Sequence, residues 1–340
     1  MTDHTGATGA PLDVLVRRTV EQLAARRRGA VAVGAIRGEE TATHGAGPRT
    51  LFEIGSISKT FTALTLARLA GRGEVALDQP VSELLPDGAA VPLRDGRQIE
   101  LGHLACHTSG LPRLPKGLMP QGMFSSDPYA GCTEEMLLNG LERTRLRSVP
   151  GSRFRYSNLG AGLLGLALAR HAGLDYDELV QREICRPLGL ADTRVTLDGE
   201  RAGRLTPGHS RFGRPRPGWR LAALAGAGGL HSTVPDLLRL ARASFGDGPA
   251  EIAEAVALTR ATGHPLSKIS TAHPGWLSMD RAQDKEGPRV LFHNGGTGGY
   301  RSLLAVIPER RAAVVALSAD ARSVDGPGMR LLSDLAGHNG

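Results

Sequence analysis

The sequence predicts an α+β fold: an antiparallel β-sheet flanked by N- and C-terminal helices, with a mostly helical lobe inserted. Three observations carry this. The first part of the chain reads as helix, strand, strand. The last third reads as successive strands closed by a helix. Between them, from about Gly73 to Gly226, segments of helical period are broken repeatedly by Pro and Gly. Residues 10–72 together with 227–340 are therefore expected to build the sheet lobe, 73–226 the helical lobe, and 1–9 to be disordered.

Leu12 to Arg28 reads as an amphipathic helix, with Leu12, Leu15, Val16, Val20 and Leu23 on one side. Ala30 to Ile36 is a short apolar run suited to a buried strand, and Thr41 to His44 can return beside it. Ser56 to Ala70 has helical character, with Gly71 as its stop. Thr133 to Arg145, Asn158 to Ala172 and Tyr176 to Cys185 are the strongest helices of the middle. The stretches Leu111 to Pro128 and Leu205 to Trp219 are rich in Pro and Gly and long enough to edge a cleft. Pro235 to Ala243 reads as a helix. Strands follow at Trp276 to Met279, Arg289 to His293, Ser302 to Ile307 and Ala312 to Ser318, and Gly328 to Ala336 closes as a helix.

Composition excludes several classes. With 41% hydrophobic and 22% charged residues, the 340-residue chain has the balance of a folded globular protein. Its net charge of +7 comes from arginines spread along the whole length, with one short cluster at Arg26, Arg27 and Arg28. Aromatic residues make up only 4%, too few for a base-stacking platform, so no nucleic-acid surface is expected. Cys106, Cys132 and Cys185 are odd in number, far apart and without C-x-x-C spacing, which fits small buried thiols and neither a disulfide framework nor a zinc site. The N-terminus lacks the basic start and apolar run of a secretory signal. The longest apolar-rich stretch, Leu159 to Ala169, is far short of the ~20 residues that span a bilayer. A cytoplasmic protein that does not use the membrane is the expectation.

Three motifs carry chemistry. Ser56-Ile57-Ser58-Lys59 is an S-x-x-K sequence. Serine needs a neighbouring base, positions i and i+3 share a helix face, and a buried lysine loses its proton readily enough to serve. Taken alone, the same four residues also fit an N-cap serine and an exposed lysine. Only four of the 41 basic residues are lysines, however, and Lys59 alone has a serine three positions before it. Tyr156-Ser157-Asn158 is the one Y-x-N of the chain and precedes a helical run. A phenol there can shuttle the serine proton, and an amide two residues on can orient a lysine or a substrate carbonyl. His293-Asn294-Gly295-Gly296 is a strand end running into a glycine turn, where backbone can approach substrate and offer an N–H to an oxyanion. H-x-G recurs at His171 and His273, but only the His293 copy sits between two strand patterns.

In their order, these motifs resemble those of the serine β-lactamase and penicillin-binding-protein superfamily, most closely its class C β-lactamase and esterase branch. Flanking stretches are similar too: Phe52-Glu53-Ile54-Gly55, Gly73-Glu74-Val75-Ala76-Leu77-Asp78, His107-Thr108-Ser109-Gly110-Leu111-Pro112 and Gly229-Leu230-His231-Ser232-Thr233. The resemblance runs from about Leu12 to Ser318 and implies a β-lactamase/transpeptidase-like fold. It implies that Ser56 is acylated, that Lys59 and Tyr156 share the base role, and that Asn158 positions Lys59 and the substrate. The N–H groups of Ser56 and Gly296 would form the oxyanion hole, beside Gly295. His293 and Asn294 depart from the K-T-G that β-lactamases of this branch carry. That departure points to an esterase, an amidase or a transacylase passing the acyl group to an amine or alcohol. A D-Ala-D-Ala carboxypeptidase, a weak β-lactamase and a non-catalytic binding module of the same fold stand as alternatives. An α/β-hydrolase is disfavoured, because Ser56 is not in G-x-S-x-G. No metal or organic cofactor is implied, and the partner expected is a small-molecule ester or amide.

Overall fold

Eight strands form one antiparallel sheet in a computed structural model that describes residues 10–118, 127–129, 131–280 and 288–337. Residues 1–9 and the centre of the Leu111–Pro128 loop lie outside the described residues. The strands are β1 Val31–Arg37, β2 Glu40–Gly45, β3 His264–Pro265, β4 Ser270–His273, β5 Trp276–Asp280, β6 Arg289–Gly296, β7 Arg301–Ile307 and β8 Ala312–Ser318. Their spatial order is β2-β1-β8-β7-β6-β5-β4-β3, so the N-terminal hairpin joins the sheet beside the last strand of the chain.

The central strands are buried on both faces, and their two-residue period sorts the side chains. Val31, Val33 and Ala35 of β1, Leu303 and Ala305 of β7, and Val314 and Ala316 of β8 pack against the terminal helices α1 (Leu12–Ala24) and, at the far end of the chain, Asp325–Gly337. Ala32, Ile36, Leu304, Val306, Val315 and Leu317 point the other way, towards the helices Ser58–Gly71 (α2) and Val234–Ala243. Replacing one such fully buried leucine, Leu304 or Leu317, by alanine carries a cost of about 2–5 kcal/mol.

Helix α2 is buried almost all round. Phe61 and Leu64 pack into the sheet side, whereas Leu66 and Leu69 join a second apolar cluster drawn from residues 66–227. That second cluster is built on the helices Glu134–Glu142 and Asn158–His171. The side chains of Thr133 and Ser157 cap their N-termini by accepting from Met136 N and Gly160 N, each cap contributing about 1 kcal/mol. The segment from Ser56 to Lys59 thus opens a helix that touches both cores.

The α+β architecture is as expected, with local differences. Ser56 is not in α2; it lies in a 3₁₀ turn, Gly55–Ile57, and the α-helix starts at Ser58. The i, i+3 relation of Ser56 and Lys59 survives because the turn runs straight into the helix. The left-handed residue that ends α2 is Gly73, not Gly71. Tyr176–Val180 is helical, but Gln181–Cys185 widens into a π-turn. The helix Ala250–Ala261 is absent from the sequence reading, because its alanine-rich run has no one-sided apolar stripe and follows Gly246 and Gly248. The single basic cluster does not stand alone on the surface: Arg27 is spent on the carbonyls of Leu23, Arg322 and Ser323.

Candidate active site

Ser56 owes its place to two close approaches. Gly55 has φ +50°, in the left-handed region, and a Cβ there would lie 2.7 Å from Gly296 N. A Cβ on Gly295 would lie 2.0 Å from Ile54 O, so only glycine lets β6 run this close to the segment that delivers the serine. Ser302 Oγ donates to the same carbonyl at 2.7 Å. Glycine at 55 and 295 is therefore a packing demand.

Lys59 Nζ lies 3.1 Å from Ser56 Oγ and donates to Ala227 O. Lys59 is 3% exposed and has no carboxylate partner among the described residues. Burial lowers its pKa from 10.5; nearby Tyr156 opposes the shift and Arg113 adds to it. The strip that accepts from Lys59 is stitched along α2, with Thr62 Oγ1 donating to Gly226 O and Leu230 N donating to Ser58 Oγ.

Tyr156 arrives from the other lobe. Its hydroxyl donates to Ser56 Oγ at 2.7 Å, and its ring lies 4.9 Å from Lys59 Nζ. His107 holds it from both sides: Arg155 N donates to His107 O at 2.7 Å, and Ser157 N donates to His107 Nδ1 at 3.3 Å. The two rings are tilted against each other at 4.5 Å. His107 has φ +58°, uncommon for a residue with a Cβ, and its pKa is held well below 6.5 by burial and by Lys59 and His293. A neutral imidazole with a bare Nδ1 is what the Ser157 amide requires. Sequence reading placed His107 only in a flanking stretch; its location before Thr108-Ser109-Gly110 was the available signal.

Asn158 departs from its expected part. Its Nδ2 donates to Tyr129 OH at 3.2 Å, and its buried Oδ1 has no partner. Its expected bond to Lys59 is not formed. Asn158 lines the cleft with Oδ1 ready for a donor.

On the sheet side, Thr297 N donates to Tyr300 O, which fixes the alternation of the β6–β7 ladder. Gly296 and Asn294 then turn their N–H groups away from β7. On that far edge the pairing with β5 ends at Phe292, so Gly296 faces the Ser56 turn unclaimed by the sheet. His293 is buried, its Nδ1 donates to Asn294 O at 2.8 Å, and burial beside Lys59 drops its pKa to about 3. It is neutral at all physiological pH and supplies no cation. Asn294 donates to Asp325 at 3.0 Å, anchoring the turn to the C-terminal helix.

These groups line a cleft of about 600 Å³, together with Arg113, Tyr129 and Trp219. All three cysteines are free and buried, and burial pushes the thiol of Cys106 up to about 12 and that of Cys132 up to about 11. No cluster of His, Cys, Asp and Glu able to hold a metal is present among the described residues, and no helix there is long and apolar enough to cross a membrane.

The chain resembles known proteins over most of its length. The chain is 32% identical over 274 residues to the D-alanyl-D-alanine-carboxypeptidase/endopeptidase AmpH of Escherichia coli, covering 77% of this chain and 69% of that protein. The crystal structure of a beta-lactamase/D-alanine carboxypeptidase from Yersinia pestis superposes with a TM-score of 0.80 at 26% identity, over 95% of this chain and 98% of that one. A class C beta-lactamase from Rhodobacter sphaeroides shares the fold, with a TM-score of 0.77 at 23% identity over 95% and 99% of the two chains. Residues 16–337 match the beta-lactamase family model, and the chain belongs to that family of serine hydrolases.

Proposed function

We propose that Ser56 is the nucleophile of an acyl-enzyme hydrolase, served by Lys59 and Tyr156. The observation that carries this is the convergence of Lys59 Nζ, at 3.1 Å, and Tyr156 OH, at 2.7 Å, on one hydroxyl. With its pKa depressed, Lys59 is poised to be a neutral amine. It then accepts the Ser56 proton while donating to Ala227 O. Ser56 Oγ bonds to the substrate carbonyl carbon, and the carbonyl oxygen takes charge between the N–H groups of Ser56 and Gly296. As the bond from the carbonyl carbon to the leaving nitrogen or oxygen breaks, Tyr156 gives its proton to the departing group and takes the serine proton from Lys59 in its place. Water, or an added amine or alcohol, then attacks the ester on Ser56 by the reverse route.

The substrate is a small ester or amide. A neutral His293 in place of a lysine removes one cation that would hold a substrate carboxylate, which favours esters, amides or transacylation over efficient β-lactam turnover. A second reading, a D-alanyl-D-alanine carboxypeptidase, is favoured by the names of the relatives from Escherichia coli and Yersinia pestis. Intact mass spectrometry with a panel of esters, D-alanyl peptides and β-lactams separates the two. An adduct from activated esters that Ser56→Ala abolishes is expected. An adduct persisting in Ser56→Ala overturns the assignment, and release of D-alanine at rates above ester turnover selects the peptidase.

A further inference from the structure

Glu53 is a buried acid that the reaction does not use. It sits three residues before Ser56, on the two-residue strand Phe52–Glu53, and is 4% exposed. Its Oε1 accepts from Trp219 N at 2.9 Å. A Cβ on Gly218 would lie 2.5 Å from the same oxygen, so the carboxyl rests directly against the backbone at Gly218. Its Oε2 is buried without a full hydrogen bond, beside Thr297, the residue that follows Gly296.

On the far side of that contact, Trp219 walls the cleft and packs on Tyr129 at 5.2 Å between ring centres. The Tyr129 hydroxyl accepts from Asn158. One carboxyl therefore joins the nucleophile's strand, the glycine turn and the wall that carries Trp219, Tyr129 and Asn158.

The charged and titratable groups around it are few. Asp127 accepts the next amide of the wall, Arg220 N, at 3.0 Å, and its charge opposes ionisation of Glu53. Tyr300 lies close by and stays neutral, its own ionisation pushed up by burial and by Glu53. Burial without a cation raises the Glu53 pKa to about 7.

We propose that Glu53 is a positioning residue whose ionised carboxylate ties the Trp219 wall to the strand bearing Ser56, and that protonation loosens this tie. The physical basis is that an ionised acceptor makes a hydrogen bond roughly twice as strong as a neutral one.

The chain has two tryptophans, Trp219 and Trp276, so fluorescence reports the wall directly. We would record emission and iodide quenching of the full chain across about pH 5 to 9, subtracting Trp219→Phe as the blank. The Trp219 signal is expected to change with a midpoint near 7, becoming more quenchable on the acid side, and to be flat in Glu53→Gln. A flat wild-type signal, or the same midpoint in Glu53→Gln, overturns the proposal. Should Glu53→Gln fail to fold, Asp127→Asn decides: its midpoint is expected to move to lower pH, and an unmoved midpoint overturns the assignment. KM for an activated ester should rise severalfold on the acid side in wild type and stay level in Glu53→Gln, with the acylation rate changing less. That kinetic arm rests on Ser56 as nucleophile; the fluorescence arm does not. Absent acylation with an intact fluorescence midpoint would therefore count against the Ser56 reading alone.

Discussion

Each end of helix α2 meets a buried charge, the acid Glu183 at one and Lys59 at the other, and the two ends are solved in opposite ways. At its C-terminus, Arg72 makes a bidentate pair with Glu183, Nη1 to Oε2 at 2.7 Å and Nη2 to Oε1 at 3.1 Å. Arg182 Nε adds a third bond at 2.7 Å, and Glu183 is 2% exposed. The acid is held below its ordinary pKa by these partners against the cost of burial. At the N-terminus, Lys59 is as deeply buried as Glu183 but meets no carboxylate among the described residues; its polar neighbours are the Ser56 hydroxyl, Ala227 O and Tyr156. One end is neutralised and structural. The other leaves a proton weakly held next to a serine, an arrangement that fits the chemistry proposed for Ser56.

That contrast can be broken from either side. The largest effect on activity is expected from Ser56→Ala and Lys59→Met: both should abolish acyl-enzyme formation measured by intact mass. Lys59→Met should at the same time unfold at a denaturant midpoint no lower than wild type, because the side chain keeps its bulk and sheds a buried cation. Tyr156→Phe should slow acylation by about 10²–10⁴-fold, the usual range for a positioned acid or base, with the fold intact by circular dichroism. Glu183→Ala should do the reverse. It leaves the mostly buried Arg68 without its nearer acid, while Arg72 and Arg182 can turn to solvent, and should lower the denaturant midpoint while the rate of acylation per folded molecule is retained.

The smallest effect is one of pH on stability. Lys59 binds its proton less tightly in the folded chain than in the unfolded one. The unfolded state therefore binds more protons between the folded pKa and 10.5, and stability rises with pH across that window. Lys59→Met should lack this rise. Denaturant titrations at neutral and alkaline pH should thus show the gap between variant and wild type closing as pH increases.

The parts of this contrast differ in how far the sequence discloses them. Ser56 and Lys59 are three positions apart, so local geometry alone puts them on one face. Tyr156 and His293 could be named because each belongs to a short pattern at a chain feature, a helix start and a strand end. What could not be read depends on pairs far apart in sequence: Glu53 with Trp219, His107 with Tyr156, Asn158 with Tyr129, Arg72 with Glu183. None of these partners is marked by spacing, and Tyr129 lies in a proline- and glycine-rich loop with no periodic signal. The sheet was legible through short apolar runs bounded by Gly, Pro or charge, and the N-terminal helix through its apolar stripe. The helix Ala250–Ala261 was not, since an alanine-rich surface carries little contrast between its faces.

The central claim, an unpaired and weakly protonated Lys59 beside Ser56, can be measured directly, because the chain has only four lysines. Lysine labelled with ¹³C at Cε gives four resolvable signals, and the one missing from Lys59→Met is that of Lys59. The account predicts that this signal titrates below 10.5. A Lys59 midpoint at or above 10.5 would contradict it.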